Sequence, residues 1–237
     1  MVFNITECVD FHHGKRIVIT ILVCGHDVVI IMHKEGDALL IQQPVYYPFR
    51  EVIEDNGRIF VNNQLHYEDG KYTIDFEDFE KKIVDNNVKV FILCNPHNPV
   101  GRVWTKEELE KMGDICLKHN VVIMDDEIHC DFTYPGFKFT SFMTLDKKYH
   151  NSLVLYTSPS KTFNVAGLQP ANIIIKNQEL RAAYRKANVA AGYSQGSIMG
   201  QVAVKSVYTK GDEWVNELVE YITGNMNYMR DFVKENF

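Results

Sequence analysis

The feature that most constrains this chain is a series of short, continuously apolar runs, each closed by a polar turn. Residues 38–41 follow the turn Glu35-Gly36-Asp37 and stop ahead of Pro44, and residues 88–94 end at Asn95-Pro96. Residues 121–124 end at Asp125-Asp126, residues 152–156 end at Thr157-Ser158-Pro159, and residues 172–175 form a further run. Apolar character that is continuous rather than alternating marks strands buried on both faces, as in a parallel sheet covered by helices. Helical patterns lie between the runs. Thr105 and Glu108 stand at the spacing of a capping box, and the helix they open should turn Leu109, Met112, Ile115 and Cys116 toward the sheet. Asp75 opens a second amphipathic stretch through Phe76, Phe79 and Ile83. Strand and helix in alternation predict a doubly wound α/β domain. From Gln178 onward the pattern is helical, and Trp214, Leu218, Tyr221 and Ile222 read as a core-facing stripe.

Composition narrows the function classes. The net charge of −6 offers no basic field for phosphate counterion release, so a nucleic-acid-binding role is not expected. Cys8, Cys24, Cys94, Cys116 and Cys130 are odd in number, widely spaced and free of CxxC pairs, which fits reduced thiols and a cytoplasmic location. The apolar stretch 17–32 is interrupted by Cys24-Gly25-His26-Asp27 and is not expected to span a membrane. Cys8, His12 and His13 lack a second ligand pair, so no metal site is expected.

In an open parallel sheet, ligands bind beyond the carboxyl ends of the strands. Three polar clusters stand at such ends: Asn95-Pro96-His97-Asn98-Pro99-Val100-Gly101, Asp125-Asp126-Glu127-Ile128-His129, and Ser158-Pro159-Ser160-Lys161-Thr162-Phe163-Asn164. Singly each is ordinary turn chemistry; in this order, after buried strands, they are distinctive. With Gln43-Pro44-Val45-Tyr46-Tyr47-Pro48-Phe49 and Gly167-Leu168-Gln169, they make residues 36–237 resemble the class I/II aminotransferase superfamily of fold-type I pyridoxal 5′-phosphate (PLP) enzymes. The wording is most similar to the cystathionine β-lyase, or C–S lyase, subgroup.

The resemblance implies a three-layer large domain around a mainly parallel sheet, and a role for each matching residue. Lys161 would form the Schiff base with the PLP aldehyde, a task for an amine able to lose its proton. Asp126 would hold the pyridine nitrogen protonated, so that the ring accepts carbanion electrons. Asn98 would donate to the ring's phenolic oxygen, and Tyr46 would stack on the ring face. Ser158 and Ser160 would bind the phosphate through their hydroxyls. His129 stands where many aminotransferases carry a tyrosine, and Gln169 where many carry a phosphate-pairing arginine. The implied activity is β-elimination on a small sulfur-containing amino acid, giving pyruvate, ammonia and a thiol; transamination, or a non-catalytic remnant, are the alternatives. Family members are homodimers.

Residues 1–35 lack the family's pattern and read as an unmatched leader, from a shifted reading frame or an internal start. Residues 36–210 read as the PLP-binding domain. Residues 211–237 read as the start of a helix leading to a small C-terminal domain that is largely absent. His97 reads as a loop filler, Cys130 and Asp131 as packing and a helix start, and Asp125 as pointing away from the site.

Overall fold

The computed structural model describes residues 18–19, 35–190 and 197–237. The leader, the run 17–32 apart from its first strand, and the Cys8, His12 and His13 group lie outside the described residues.

A single seven-stranded sheet organises the described chain. Its strands are β1 (Val18–Ile19), β2 (Ala38–Ile41), β3 (Ile59–Asn62), β6 (Val90–Cys94), β7 (Val122–Asp126), β8 (Leu153–Thr157) and β9 (Asn172–Ile175), in the order β1-β9-β8-β7-β6-β2-β3. Strands β8, β7, β6, β2 and β3 run parallel to one another, while β9 pairs antiparallel with both β8 and β1. Strands β4 (His66–Glu68) and β5 (Lys71–Thr73) form a separate exposed hairpin. Each apolar run of the sequence is therefore a strand, and β2 and β6 are buried at every position.

Helices cover both faces, as three layers require. On one face, α2 (Phe76–Asp85) and α3 (Lys106–Lys118) pack on Leu40, Phe91, Leu93, Ile123 and Leu155. On the other, α1 (Pro48–Asp55) and α4 (Gln178–Ala190) cover Leu39, Ile41, Val90, Ile92, Met124 and Val154. The sequence signals act as expected at the helix starts. Asp75 Oδ1 accepts from the N–H groups of Glu77 and Asp78 at 3.0 and 2.9 Å. Thr105 and Glu108 close a reciprocal capping box at 3.2 and 2.8 Å. The buried face of α3 is Leu109, Met112, Gly113 and Cys116, with Ile115 half-buried.

Gly113 lets α3 sit close on an aromatic pair. A Cβ there would lie 2.7 Å from Tyr149 Cε1 and 2.9 Å from the Phe142 ring, whose centroids are 5.4 Å apart. Gly113→Ala is expected to destabilise by about 1–3 kcal/mol through overpacking, despite alanine's better helix propensity. Chemical denaturation checks this; a variant as stable as the parent would show that the rings yield freely.

The last two helices, α5 (Ile198–Lys210) and α6 (Asp212–Asn236), correct one expectation. Trp214 and Tyr221 are 52% and 68% exposed, and Leu218 and Ile222 are only half-buried, so they form no core stripe. Val215 is the buried residue of α6. At ~1.5 Å per residue the helix runs roughly 38 Å, beyond the reach of the sheet's own cover. Among the described residues, its buried and half-buried positions all lie before Gly224. Among the described residues no helix is long and apolar enough to cross a membrane.

Candidate active site

Parallel strands deliver the candidate residues to one rim. The register aligns Cys94 of β6 with Asp126 of β7, and Asp126 with Tyr156 of β8, at the carboxyl ends of all three. Side chains alternate along a strand. Met124, Val154 and Tyr156 pack with the α1/α4 face, and Asp126 shares the parity of Met124. Asp125 faces the opposite layer, as expected, fully buried. Strand ends ~4.8 Å apart hold Asp126 between the loops that follow β6 and β8.

Asp126 Oδ1 accepts from the Ile128 N–H at 3.1 Å. Burial pushes its carboxyl up to about 6, against the opposing pull of the Ile128 N–H and the Lys161 charge. Lys161 extends from the loop after β8 with its side chain exposed, and its charge reaches both Asp126 and His129. His129 is half-buried against Phe132, with ring centroids 6.3 Å apart. Burial, then the Lys161 charge, holds its imidazole below the usual range. Lysine, carboxylate and imidazole thus share one edge, with the lysine charge felt by the other two.

Asn98 is half-buried in the loop after β6, where its N–H donates to Cys94 Sγ at 3.4 Å. Tyr46 follows β2, the strand beside β6, with its ring 5.7 Å from that of Phe49 in an edge contact. The hydroxyls of Ser158 and Ser160 are linked at 2.8 Å, and both are directed to the Pro170 carbonyl. The Ser160 N–H donates to Ser158 Oγ at 3.0 Å. Gln169 is exposed with a positive φ of 52°.

His97 proves to be more than a filler. It is 2% exposed, and its Nε2 lies 3.1 Å from both the Gln42 and Pro44 carbonyls. Burial lowers its pKa to about 4, so the ring is neutral and donates from Nε2. It thereby ties the loop bearing Asn98 to the loop bearing Tyr46. A single histidine between two Asn-Pro turns carries no periodic signal, which is why the sequence does not reveal this. Asp131 starts no helix. It accepts from Thr162 Oγ1 at 2.8 Å, joining the turn after β7 to the lysine loop.

Behind the rim lies a buried acidic pair. Glu127 Oε1 accepts from the Phe142 N–H at 2.9 Å. Asp125 is raised well above the carboxylate range by burial and by Glu127, and Glu127 is raised to about 7, chiefly by burial. One shared proton fits such a pair. Groups that hold protons more tightly when folded stabilise fully below the unfolded carboxyl range, and that stability is lost as pH rises through their folded pKa. His97 has the opposite slope, because its depressed folded pKa costs stability as pH falls toward 4. The two effects separate in a comparison. Glu127→Gln, which can still accept from Phe142, is expected to gain on the parent by on the order of 2 kcal/mol between pH 5 and pH 8. Parallel melting curves across that range would refute the shared proton.

The geometry has close relatives. The family model for aminotransferase class I and II matches residues 24–236, opening inside the stretch that the motifs leave unassigned. Cystathionine beta-lyase PatB of Bacillus subtilis is 43% identical over 198 residues, covering 84% of this chain and 51% of its own length. The crystal structure of cystalysin from Treponema denticola, which contains a pyridoxal 5′-phosphate cofactor, superposes with a TM-score of 0.88 at 37% identity. That match covers 93% of this chain and 56% of cystalysin. A PLP-bound C–S lyase from Staphylococcus hominis superposes with a TM-score of 0.79 at 35% identity, over 87% of this chain and 52% of its own. The chain spans about half the length of the curated relatives it matches. By a match that runs over most of its length, this chain belongs to the class I and II aminotransferase family.

Proposed function

We propose that residues 36–210 form a PLP-binding domain and that the protein is a carbon–sulfur β-lyase, a cytoplasmic homodimer acting on small sulfur-containing amino acids. One observation carries the reading. Asp126 ends β7 and Lys161 lies in the loop that follows the adjacent parallel strand β8, with the lysine charge acting on the carboxyl and on His129. The donor set fits the cofactor. Asp126 is a carboxyl raised by burial whose Oδ1 accepts from the Ile128 N–H, so a protonated ring nitrogen suits the other oxygen. The buried Tyr156 hydroxyl, on the same face, has no hydrogen-bond partner among the described residues.

When bound, PLP supplies an electron sink for a carbanion at the substrate α-carbon. The residues do the rest. Lys161 Nζ would anchor the cofactor and, as a free amine, would take the α-proton. Asp126 keeps the ring nitrogen charged. Tyr46 and Asn98 would hold the ring, and Ser158 and Ser160 would bind the phosphate through hydroxyls that otherwise donate to the Pro170 carbonyl. His129, a neutral imidazole near neutral pH, offers a hydrogen bond without adding charge beside Lys161.

Loss of the β-thiolate would leave an enamine acid, and its hydrolysis by one water would give pyruvate and ammonia as the co-products. Transamination remains the second reading, favoured by the family model's own scope, because it shares the α-proton step. Incubating PLP-loaded protein with cystathionine should release pyruvate without any keto-acid acceptor. Amino exchange that depends on an added keto acid, with no pyruvate, would instead establish the transaminase.

A further inference from the structure

The loop that carries Lys161 is gripped on both sides of the lysine. Before it, the Ser160 N–H donates to the buried Ser158 hydroxyl at 3.0 Å. After it, Thr162 is 1% exposed and is held twice. Its Oγ1 donates to Asp131 Oδ2 at 2.8 Å, and its carbonyl accepts from Trp214 Nε1 at 3.1 Å. These two partners come from distant elements: Asp131 ends the turn that follows β7, and Trp214 lies in the first turn of α6.

We infer that Asp131 and Trp214 are positioning residues for Lys161, which act by clamping Thr162 through its hydroxyl and its carbonyl. The inference rests on the proposed cofactor role only for what Lys161 is positioned to do. The clamp explains an otherwise odd division of exposure. Trp214 leaves its ring 52% exposed yet spends its indole N–H on a backbone carbonyl beside the lysine. Close packing supports it, since a Cβ on Gly211 would fall 2.3 Å from Phe163 Cε1, the residue after Thr162. The Asp131 link is local to the rim and sets the distance between the β7 and β8 turns. The Trp214 link ties that same point to α6, so a displacement of α6 is transmitted to the lysine loop. Neither side chain needs to touch substrate or cofactor for this.

The test reads the lysine's position without the cofactor. In PLP-free protein, His129 titration is followed by NMR and assigned with His129→Gln. Lys161→Ala should raise the His129 midpoint by removing a neighbouring positive charge. Thr162→Val, which keeps the branched shape but loses the hydroxyl, should raise it too, by about half a unit or more. Thr162→Ser should restore the parent value. Trp214→Phe, a change at a largely exposed ring, gives the same readout should a buried variant fail to fold. With PLP added, the clamp variants should need about fivefold more cofactor for half-saturation. Folded Thr162→Val or Trp214→Phe protein that titrates and saturates like the parent overturns the positioning role. A Lys161→Ala midpoint equal to the parent's overturns it as well, because the lysine then does not stand beside His129. Parent protein that shows the His129 coupling but forms no PLP adduct overturns the cofactor reading alone.

Discussion

Replacing Lys161 by alanine is expected to abolish the specific, borohydride-fixable PLP adduct altogether. The ε-amine can form an imine with an aldehyde, and among the described residues it is the amine whose charge reaches both Asp126 and His129. The chain's other lysines give only scattered, weak adducts, so peptide mapping after reduction should find one modified peptide in the parent and none in the variant. Lys161→Arg separates charge from chemistry. Arginine keeps the positive charge beside Asp126, holding its electrostatic environment, but cannot form the adduct. A Lys161→Ala protein that still gives a single mapped adduct elsewhere would move the site.

Trp104→Ala should cause the largest loss of stability. The indole is fully buried in the α2/α3 layer, and its Nε1 donates to the Cys94 carbonyl at 3.1 Å. Its ring meets that of His97 edge-on at 5.3 Å, and the Arg102 guanidinium lies 4.5 Å above it. Truncation leaves a cavity and an unpaired carbonyl at the strand end, a cost of about 3–5 kcal/mol. Against a typical total of about 5–15 kcal/mol, that is a large share. The melting temperature should fall by on the order of 10 °C. Because Trp104 backs His97, the Asn98 and Tyr46 loops should also loosen, so PLP affinity should fall even where the protein stays folded. Trp104→Phe, which keeps the ring contact and loses the hydrogen bond, should lose much less. A shift under about 1 kcal/mol for alanine would mean the layer collapses to fill the space.

The sheet was legible because buried parallel strands leave a mark that survives in one sequence. Runs such as 90–94 are apolar at every position, and the turns that stop them are the turns that carry the site. The helix starts at Asp75 and Thr105 were equally readable, since capping is a local bargain among neighbours three residues apart. The clusters holding Lys161, Asp126 and Asn98 stood out because they follow such runs, and the family resemblance picked these residues within them. The structure brings the first two together, and sets Asn98 in the loop next door. What stayed hidden depends on contacts across long stretches of chain. His97 meets Gln42 and Pro44, Asp131 meets Thr162, and Glu127 meets Phe142, with no periodicity linking the partners. The stripe assigned to Trp214 and Tyr221 failed for a related reason. Helical spacing shows that a face is apolar, and says nothing of whether a surface lies opposite it.

The strand order has a consequence for how this chain comes to life on the ribosome and in refolding. β2 pairs with β6 and not only with its neighbour in sequence, so the rim residues arrive from segments that must cross and register before any of them is in place. Non-local parallel pairing is slow to form, because chain closure is required before the contacts reward it. Half a sheet therefore carries no half-formed site. A small molecule that recognises the finished rim acts as a mass-action sink for the native state, worth about 2.7 kcal/mol at a hundredfold excess over its dissociation constant. Supplying the vitamin precursor during expression should accordingly raise the yield of folded chain, and should do so only when Lys161 is present.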